Sequence, residues 1–369
     1  MSLQKILSST YKNKTVFITG HNGFIGTWLT LWLQKLGANI VGYSLEPNSE
    51  PSFFRSISLD KNIENIIGDI RKRQNLLKSI KKSDPDFVIH LAAQSLVKKS
   101  YENPVETFQT NILGTVNVLD SIRKCDNVKA CIVMTSDKCY HNPEDGKLRT
   151  ETDPMGGNDP YSASKGSAEL VVKSFKNSFF KKNNVGIATI RAGNVLGGGD
   201  WSKNRIVPDC INSIIKNEKI VVRNPSYIRP WQFVLEPISG MLLLGSKLYL
   251  KPENFSEGWN LGPKKMKKIN VKQVVNNIIK IWGNNFSNIE FLKKSEDFKE
   301  SNSLLLDSKM INRKLGWETI YTFDETIKET VSWYKQFYKN SRMIENFSID
   351  QISKYVKKAN QNYNLIQRN

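Results

Sequence analysis

The chain has 369 residues, 39% of them hydrophobic and 24% charged, with a formal net charge of +19. That length buries a full core, as one large domain or two lobes. No apolar run approaches the span of a bilayer, and the start, Met1-Ser2-Leu3-Gln4-Lys5, lacks the apolar core of a secretory signal. Four cysteines without a Cys-x-x-Cys pair and three histidines argue against a disulfide framework or a metal site, so a reducing cytoplasm and no metal are expected. The basic residues are spread along the chain rather than gathered into a stripe, so neither nucleic acid nor a membrane is expected as a partner.

Residues 15–19 (Thr-Val-Phe-Ile-Thr) read as a first strand, followed by Gly20-His21-Asn22-Gly23-Phe24-Ile25-Gly26 and an apolar helical segment from Thr27 to Leu36. Glycines between a strand and a helix are the context of a dinucleotide fingerprint. The first permits the turn, the second lets the backbone approach a pyrophosphate, and the third lets helix and strand pack closely. The bland alternative is a glycine turn that holds nothing. Strand two, Asn39 to Ser44, ends in a hydroxyl where a carboxylate is expected to hold the adenine ribose; Glu46 lies two residues on. No Arg or Lys follows immediately to receive a 2′-phosphate, which favours NAD over NADP.

Gly68-Asp69-Ile70 closes a third apolar run, and Asp69 reads equally as a cofactor contact or a helix N-cap. Phe87 to Leu91 is strand four, followed by the small residues Ala92 and Ala93; His90, inside the apolar run, reads as a satisfied core histidine. Pro104 to Lys124 repeats apolar residues at helical spacing around a polar Asn111. Strand five, Ala130 to Met134, runs into Thr135, Ser136, Asp137 and Lys138. By themselves these are a polar turn. The next helix, from Tyr161 to about Phe180, carries Tyr161 and Lys165 at i, i+4 on one face, where an ammonium beside a phenol favours phenolate. Strand six, 185–190, leads to Asn194 and then to a Gly-, Trp- and Arg-rich stretch. There Arg205, Arg229 and Trp231 suit a nucleoside diphosphate, guanidinium groups for phosphate and an aromatic face for a base, while Arg223 reads as ordinary surface.

The fold class expected is α/β: a Rossmann-type doubly wound parallel sheet with a smaller, discontinuous substrate lobe. Residues 1–195 form the dinucleotide-binding domain, and the chain returns to it around 231–255. Residues 196–230 and 256–369 supply mainly the lobe and C-terminal helices, including a strand-and-turn at Trp259 to Pro263 and a fraying end after Tyr355.

Thr19-Gly-His-Asn-Gly-Phe-Ile-Gly26, Leu91-Ala-Ala-Gln-Ser-Leu96, Thr135-Ser-Asp-Lys-Cys-Tyr140, Asp159-Pro-Tyr-Ser-Ala-Ser-Lys165, Arg191-Ala-Gly-Asn-Val195, Gly197-Gly-Gly-Asp-Trp201 and Arg229-Pro-Trp-Gln232 occur together, with Trp333-Tyr334 near the end. From about Lys14 to Tyr355 the chain resembles the nucleotide-sugar branch of the extended short-chain dehydrogenase/reductase family, and within it the CDP-glucose 4,6-dehydratases. The resemblance implies NAD held by Gly20, Gly23, Phe24, Ile25, Gly26, Ser44, Asp69, Ile70, Leu91, Ala92, Ala93 and Thr135 together with Tyr161 and Lys165. It implies a nucleotide sugar contacted by Gln94, Asn194, Arg205 and Arg229, and an active site braced by Asn111. Ser136, Tyr161 and Lys165 would serve oxidation at carbon 4, and Asp137 and Lys138 the elimination of water. Which of those two is acid and which is base stays open. The resemblance also implies a homodimer built on segments 104–124 and 161–180. Departures fall at His141 to Gly146, at Phe233 where a His is common and at Lys98 where an Arg is common. They are expected on the substrate side. A 4-epimerase needs no acid–base pair beyond Ser-Tyr-Lys, and a cofactor-sensing regulator needs neither Tyr161 nor Lys165.

Overall fold

β1 (Thr15–Thr19) turns Val16 and Ile18 to one face of a sheet and Phe17 to the other, and all three are fully buried. A strand apolar on both faces belongs inside a parallel sheet covered on two sides. The computed structural model, which describes residues 2–47, 49–264, 268–283, 288–292 and 304–366, has that sheet. β1 pairs in parallel with β2 (Asn39–Ser44) on one side and β4 (Phe87–His90) on the other. β3 (Glu64–Ile67) continues beyond β2, and β5 (Ala130–Met134) and β6 (Gly186–Ala192) continue beyond β4. The strand Gly258–Leu261 adds a seventh member beside β6, also parallel. Register puts Thr19 beside His90, His90 beside Val133 and Met134 beside Ile190, so the strands finish along one edge.

Two helical layers cover the sheet. One contains α1 (Leu3–Tyr11), α2 (Phe24–Lys35), the helix Leu235–Leu250 and the helix Ile344–Ile366; the other contains Arg73–Ser83, the helical run 104–122 and Pro160–Phe175. α1 buries Leu3, Leu7 and Tyr11 at i, i+4, i+8, and the Tyr11 hydroxyl donates to the Leu242 carbonyl at 2.8 Å. Trp28, Trp32 and Trp333 are fully buried in the first layer. Each such side chain contributes roughly 1.5–3 kcal/mol.

A smaller lobe follows β6. Its helices Ile206–Lys216 and Val271–Trp282 pack together, and Ile220–Val222 pairs with Ile289–Phe291. Three sequence expectations change. The strand around Trp259 belongs to the main sheet and not to the lobe. The C-terminal helix packs on α1 and α2, with Tyr355, Val356 and Ala359 buried, and it runs on to Ile366 instead of fraying after Tyr355. The single helix foreseen over 104–124 is α-helical at Pro104–Phe108 and Gly114–Ile122 around a π-helical turn, Gln109–Leu113.

Glu236, 1% exposed, joins the C-terminal segment to the core. Its Oε1 accepts the Ile320 and Tyr321 N–H groups, both at 2.8 Å, and its Oε2 accepts the Tyr355 hydroxyl at 2.6 Å. Burial outweighs these donors and pushes the carboxyl up from 4.5 to about 7. The folded value lies above the unfolded one, so this group's contribution is fully present below pH 4.5 and is lost as pH rises to about 7, on the order of 3 kcal/mol. Glu236→Gln is therefore expected to gain stability relative to the unsubstituted chain as pH rises across that window. Urea unfolding of both proteins in acid and at neutrality measures this, and a gap that does not change with pH contradicts it.

Candidate active site

Gly20 takes a left-handed φ of +78°, and a Cβ there would lie 2.6 Å from the Ala92 nitrogen. At Gly26 a Cβ would lie 2.0 Å from the Gly20 carbonyl, so helix α2 can sit this close to the loop only on glycine. Gly23 differs. A Cβ there would meet only the Gly20 oxygen at 3.4 Å, an ordinary contact, so protein packing does not demand glycine. A group lying against the backbone does, and the N-terminus of α2, beginning at Phe24, supplies N–H groups for an anion. Phe24 and Ile25 open that helix half-buried, and the loop fits a bound pyrophosphate.

The flanking residues divide. Ser44 is buried and its hydroxyl lies 2.9 Å from His21 Nδ1, while His21 Nε2 meets Asn65 Oδ1 at 2.8 Å. Burial pulls the His21 pKa down to about 4, so this bridge is neutral. Glu46 is exposed and paired with Arg55 at 3.2 Å. Asp69 is not a helix N-cap: Lys72 occupies that position before Arg73–Ser83. Asp69 accepts the Arg71 N–H at 2.8 Å and pairs with its guanidinium at 2.7 Å; against the cost of burial, Arg71 holds the carboxyl below its usual range. Ile70 is buried against Gly114. Leu91, Ala92 and Ala93 form the half-buried exit of β4. His90 is satisfied on both nitrogens, by Thr19 at 2.7 Å and Thr115 at 3.2 Å, and burial lowers its pKa to about 3.

At the end of β5, Thr135 leads into a short 3₁₀ turn, Asp137–Cys139, with Ser136 as its N-cap. The Ser136 hydroxyl accepts the Lys138 N–H at 3.2 Å and donates to Asp137 Oδ1 at 3.0 Å, and Ser136 pulls the Tyr161 pKa down against burial. Capping turn and reactive group are the same side chain. Asp137 is 2% exposed, and its Oδ2 has no hydrogen-bond partner among the described residues. A buried acceptor of this kind is costly unless something else meets it.

The helix Pro160–Phe175 starts where its sequence dictates, with Pro160 in the first turn and Asp159 accepting the Ser162 N–H at 2.9 Å. Tyr161 and Lys165 then face the Ser136 turn. Lys165 Nζ donates to the Met134 carbonyl at 3.3 Å and lies 6.0 Å from the Tyr161 ring centre. Burial brings Lys165 down to about 8. The phenol departs from expectation. Burial raises the Tyr161 pKa, and Ser136, Lys138 and Arg205 counter it. Asn111, in the π-helical turn, donates to the Gln94 carbonyl at 3.0 Å and to Ser164 at 2.8 Å, bracing the β4 exit against the Tyr161 helix. π-Turns recur at functional sites.

The candidate substrate residues separate as well. Arg205 reaches the triad: it pairs with Asp200 at 2.9 Å, donates to Ser95 at 3.1 Å and acts electrostatically on Tyr161. Asp200 is fixed in turn, since its carbonyl accepts the Tyr334 hydroxyl at 2.5 Å and Trp333 packs over Gly198. Asn194 sits half-buried just beyond β6. Gln94 is committed to the protein, its amide nitrogen donating to Leu96 and Thr107, both at 3.0 Å, and its oxygen accepting at 2.6 Å. Arg229 is buried and lies 5.1 Å over the Tyr227 ring. Trp231 is 8% exposed and packs in the core, so it offers no open face for a base; Arg223 is exposed and bonds Asn204. Phe233 is fully buried against Tyr321 at 5.4 Å, and it pairs with Leu196, two residues beyond Asn194. Lys98 is half-buried on Val97–Glu102. Among the described residues no cluster of His, Cys, Asp and Glu is suited to a metal.

Beneath the site lies a group that motif reading passes over. Glu169 accepts the Thr135 hydroxyl at 2.5 Å and the Thr189 hydroxyl at 2.8 Å, and pairs with Arg191 at 2.7 Å. Arg191 bonds the Tyr140 hydroxyl at 2.7 Å, and Tyr140 donates to Asn260, also at 2.7 Å. The spacing Tyr161, Lys165, Glu169 was a usable signal, since i, i+4, i+8 share one helix face.

A family model described as GDP-mannose 4,6 dehydratase matches residues 17–330. A CDP-glucose 4,6-dehydratase of Salmonella typhimurium is 44% identical over 340 residues, covering 90% of this chain and 94% of that protein. Among solved structures, the epimerase Mth375 of Methanothermobacter thermautotrophicus superposes with a TM-score of 0.79 at 25% identity, over 92% of this chain and 97% of that one. DesIV, a dTDP-glucose 4,6-dehydratase of Streptomyces venezuelae solved with NAD bound, gives 0.75 at 18% identity over 90% and 99%. The match of that model and the near full-length match to the Salmonella protein mean that the chain belongs to the GDP-mannose 4,6-dehydratase family.

Proposed function

We propose that the chain is an NAD-dependent hydro-lyase that converts CDP-glucose to CDP-4-keto-6-deoxyglucose. The observation that carries this reading is the turn Ser136-Asp137-Lys138 beside Tyr161. Oxidation at carbon 4 needs a base and its helpers; elimination needs a further acid and base, and this turn adds both. The 44% identity to the Salmonella CDP-glucose enzyme supports the choice of nucleotide.

Bound NAD would accept hydride from carbon 4 of the sugar and return it to carbon 6. The chain's own residues do the proton work. Tyr161, whose phenol is pulled down against burial by Ser136, Lys138 and Arg205, takes the proton of the 4-hydroxyl. Lys165, anchored on the Met134 carbonyl, orients the cofactor side of the same pocket. The ketone at carbon 4 acidifies the hydrogen at carbon 5, which Lys138 removes and, once carbon 6 has been reduced, returns to carbon 5 as a proton. Asp137, with its unpartnered Oδ2, delivers a proton to the departing 6-hydroxyl. Gly20, Gly23 and Gly26 cradle the pyrophosphate of the cofactor, and Arg205 carries the substrate diphosphate. Gln94 and Arg229 act behind that contact, through the β4 exit and Tyr227.

The apolar side chains Val105, Leu113 and Leu170 are 66%, 55% and 59% exposed on the helical segments 104–122 and 160–175. A patch of this kind marks an interaction surface, and a homodimer burying it follows. A cytoplasmic setting is part of the same reading, supported by four unpaired cysteines.

Incubation with NAD and a panel of glucose nucleotides is expected to give the ultraviolet absorbance of a 4-keto-6-deoxy product from CDP-glucose; product from another nucleotide alone overturns the substrate while leaving the reaction. Lys138→Ala is expected to bind NAD and sugar, accumulate reduced cofactor and lose turnover by at least about 10²-fold. Normal turnover in that variant removes the role given to Lys138. Light scattering at micromolar concentration is expected to return the mass of two chains, and Leu113→Glu with Leu170→Glu that of one. A monomer before substitution removes the dimer.

A further inference from the structure

Two pieces of the active site arrive on different elements: the Ser136–Lys138 turn at the end of β5, and Tyr161 with Lys165 on the helix Pro160–Phe175. Their relative position must hold to within a fraction of an ångström for proton transfer. Lys165 Nζ donates to the Met134 carbonyl, two residues before the turn, at 3.3 Å. Below them the helix sends in Glu169, 6% exposed and one turn beyond Lys165. Both its oxygens are used: Oε1 by Thr135, the residue before Ser136, and Oε2 by Thr189 and Arg191 of β6. Arg191, 5% exposed, is itself held by Tyr140, by the Glu151 carbonyl at 3.1 Å and by the ring of Tyr140 at 5.1 Å.

We propose that Glu169 and Arg191 form a positioning pair that locks Thr135, and through it the Ser136–Lys138 turn, onto the helix bearing Tyr161 and Lys165. The pair is buried beneath the site, behind Thr135. A buried ion pair is weak evidence for stability, because desolvation offsets its attraction, and fixing a geometry is the better-attested reason to keep one. The carboxylate has a second effect. The charged and titratable groups around Lys165 are His90 from β4, Cys139 from the turn, Tyr161 and Glu169 from its own helix. Burial lowers Lys165 to about 8, and Cys139 and Glu169 oppose that fall. The cation is therefore present below about pH 8 and lost above it, and Glu169 moves that limit upward.

This inference rests on the dehydratase reading only for its kinetic readout. The test uses the full chain in three variants. Glu169→Gln removes the charge and leaves Arg191 unpaired; Glu169→Gln with Arg191→Gln removes both charges; Thr135→Val cuts the tie and leaves the ion pair whole. Each is expected to lower kcat roughly 10- to 100-fold with KM nearly unchanged. In the two Gln variants the basic limb of the kcat profile shifts toward acid. The Lys165 midpoint, followed by NMR of ¹³C-labelled lysine side chains, falls with it. Thr135→Val keeps its thermal midpoint, which separates loss of position from loss of fold if the charge variants unfold. Wild-type kcat in Thr135→Val overturns the proposal, and so does a folded Gln variant with an unmoved Lys165 midpoint. If the unsubstituted chain fails to turn over any glucose nucleotide, the dehydratase reading falls, while the NMR midpoints still decide this one.

Discussion

Parallel pairing constrains this molecule more than any single contact. Because β1, β4, β5 and β6 run in one direction and finish nearly level, the glycine loop, the Ala92-Ala93 exit, the Ser136 turn and Asn194 emerge along one edge. No side chain has to reach far. The price is that backbone groups at that edge lack ladder partners, and the site is where they find them. Lys165 donates to the Met134 carbonyl, and the Thr19 hydroxyl serves the Ala92 N–H at 3.3 Å. Finishing the sheet and building the site are one operation.

The burial of the site then sets its chemistry. Tyr161, Lys165, Asp137 and Ser136 are all less than 9% exposed. Burial raises the phenol and lowers the ammonium, drawing the two apart, so that the ammonium gives up its proton well before the phenol. At i, i+4 the ammonium lies 6.0 Å from the ring centre, and Ser136, Lys138 and Arg205 counter the effect of burial on the phenol.

What the sequence made legible were features with a local cause. Strand one is a β-branched run ended by glycine, and the helix start at Asp159-Pro160 is a cap written in side chains, so both fell where expected. Gly20 and Gly26 were readable because a tight turn and a close approach leave no other residue. What stayed illegible depended on partners distant in the chain. Gly258–Leu261 is too short to announce its sheet, and only β6 beside it decides the matter. That the Gln94 side chain bonds Leu96 and Thr107 could not be read locally. Trp231 and Phe233, both suited to stacking by type, are core residues by position. Glu169 lay on the right helix face, but nothing local reveals that its partner is Arg191.

The anchoring of Arg205 has a bearing on how the chain matures. Its partner Asp200 is pinned by Tyr334, and the loop carrying both is covered by Trp333. These aromatic residues lie on the helix Phe323–Lys339, synthesised more than a hundred positions after the loop they hold. Six of the seven strands are made by Ala192, so in a growing chain the strands of the glycine-loop edge precede by far the helix that fixes Arg205. The Asp200–Arg205 pairing is thus completed from the far end of the chain, by residues that the sheet itself does not need.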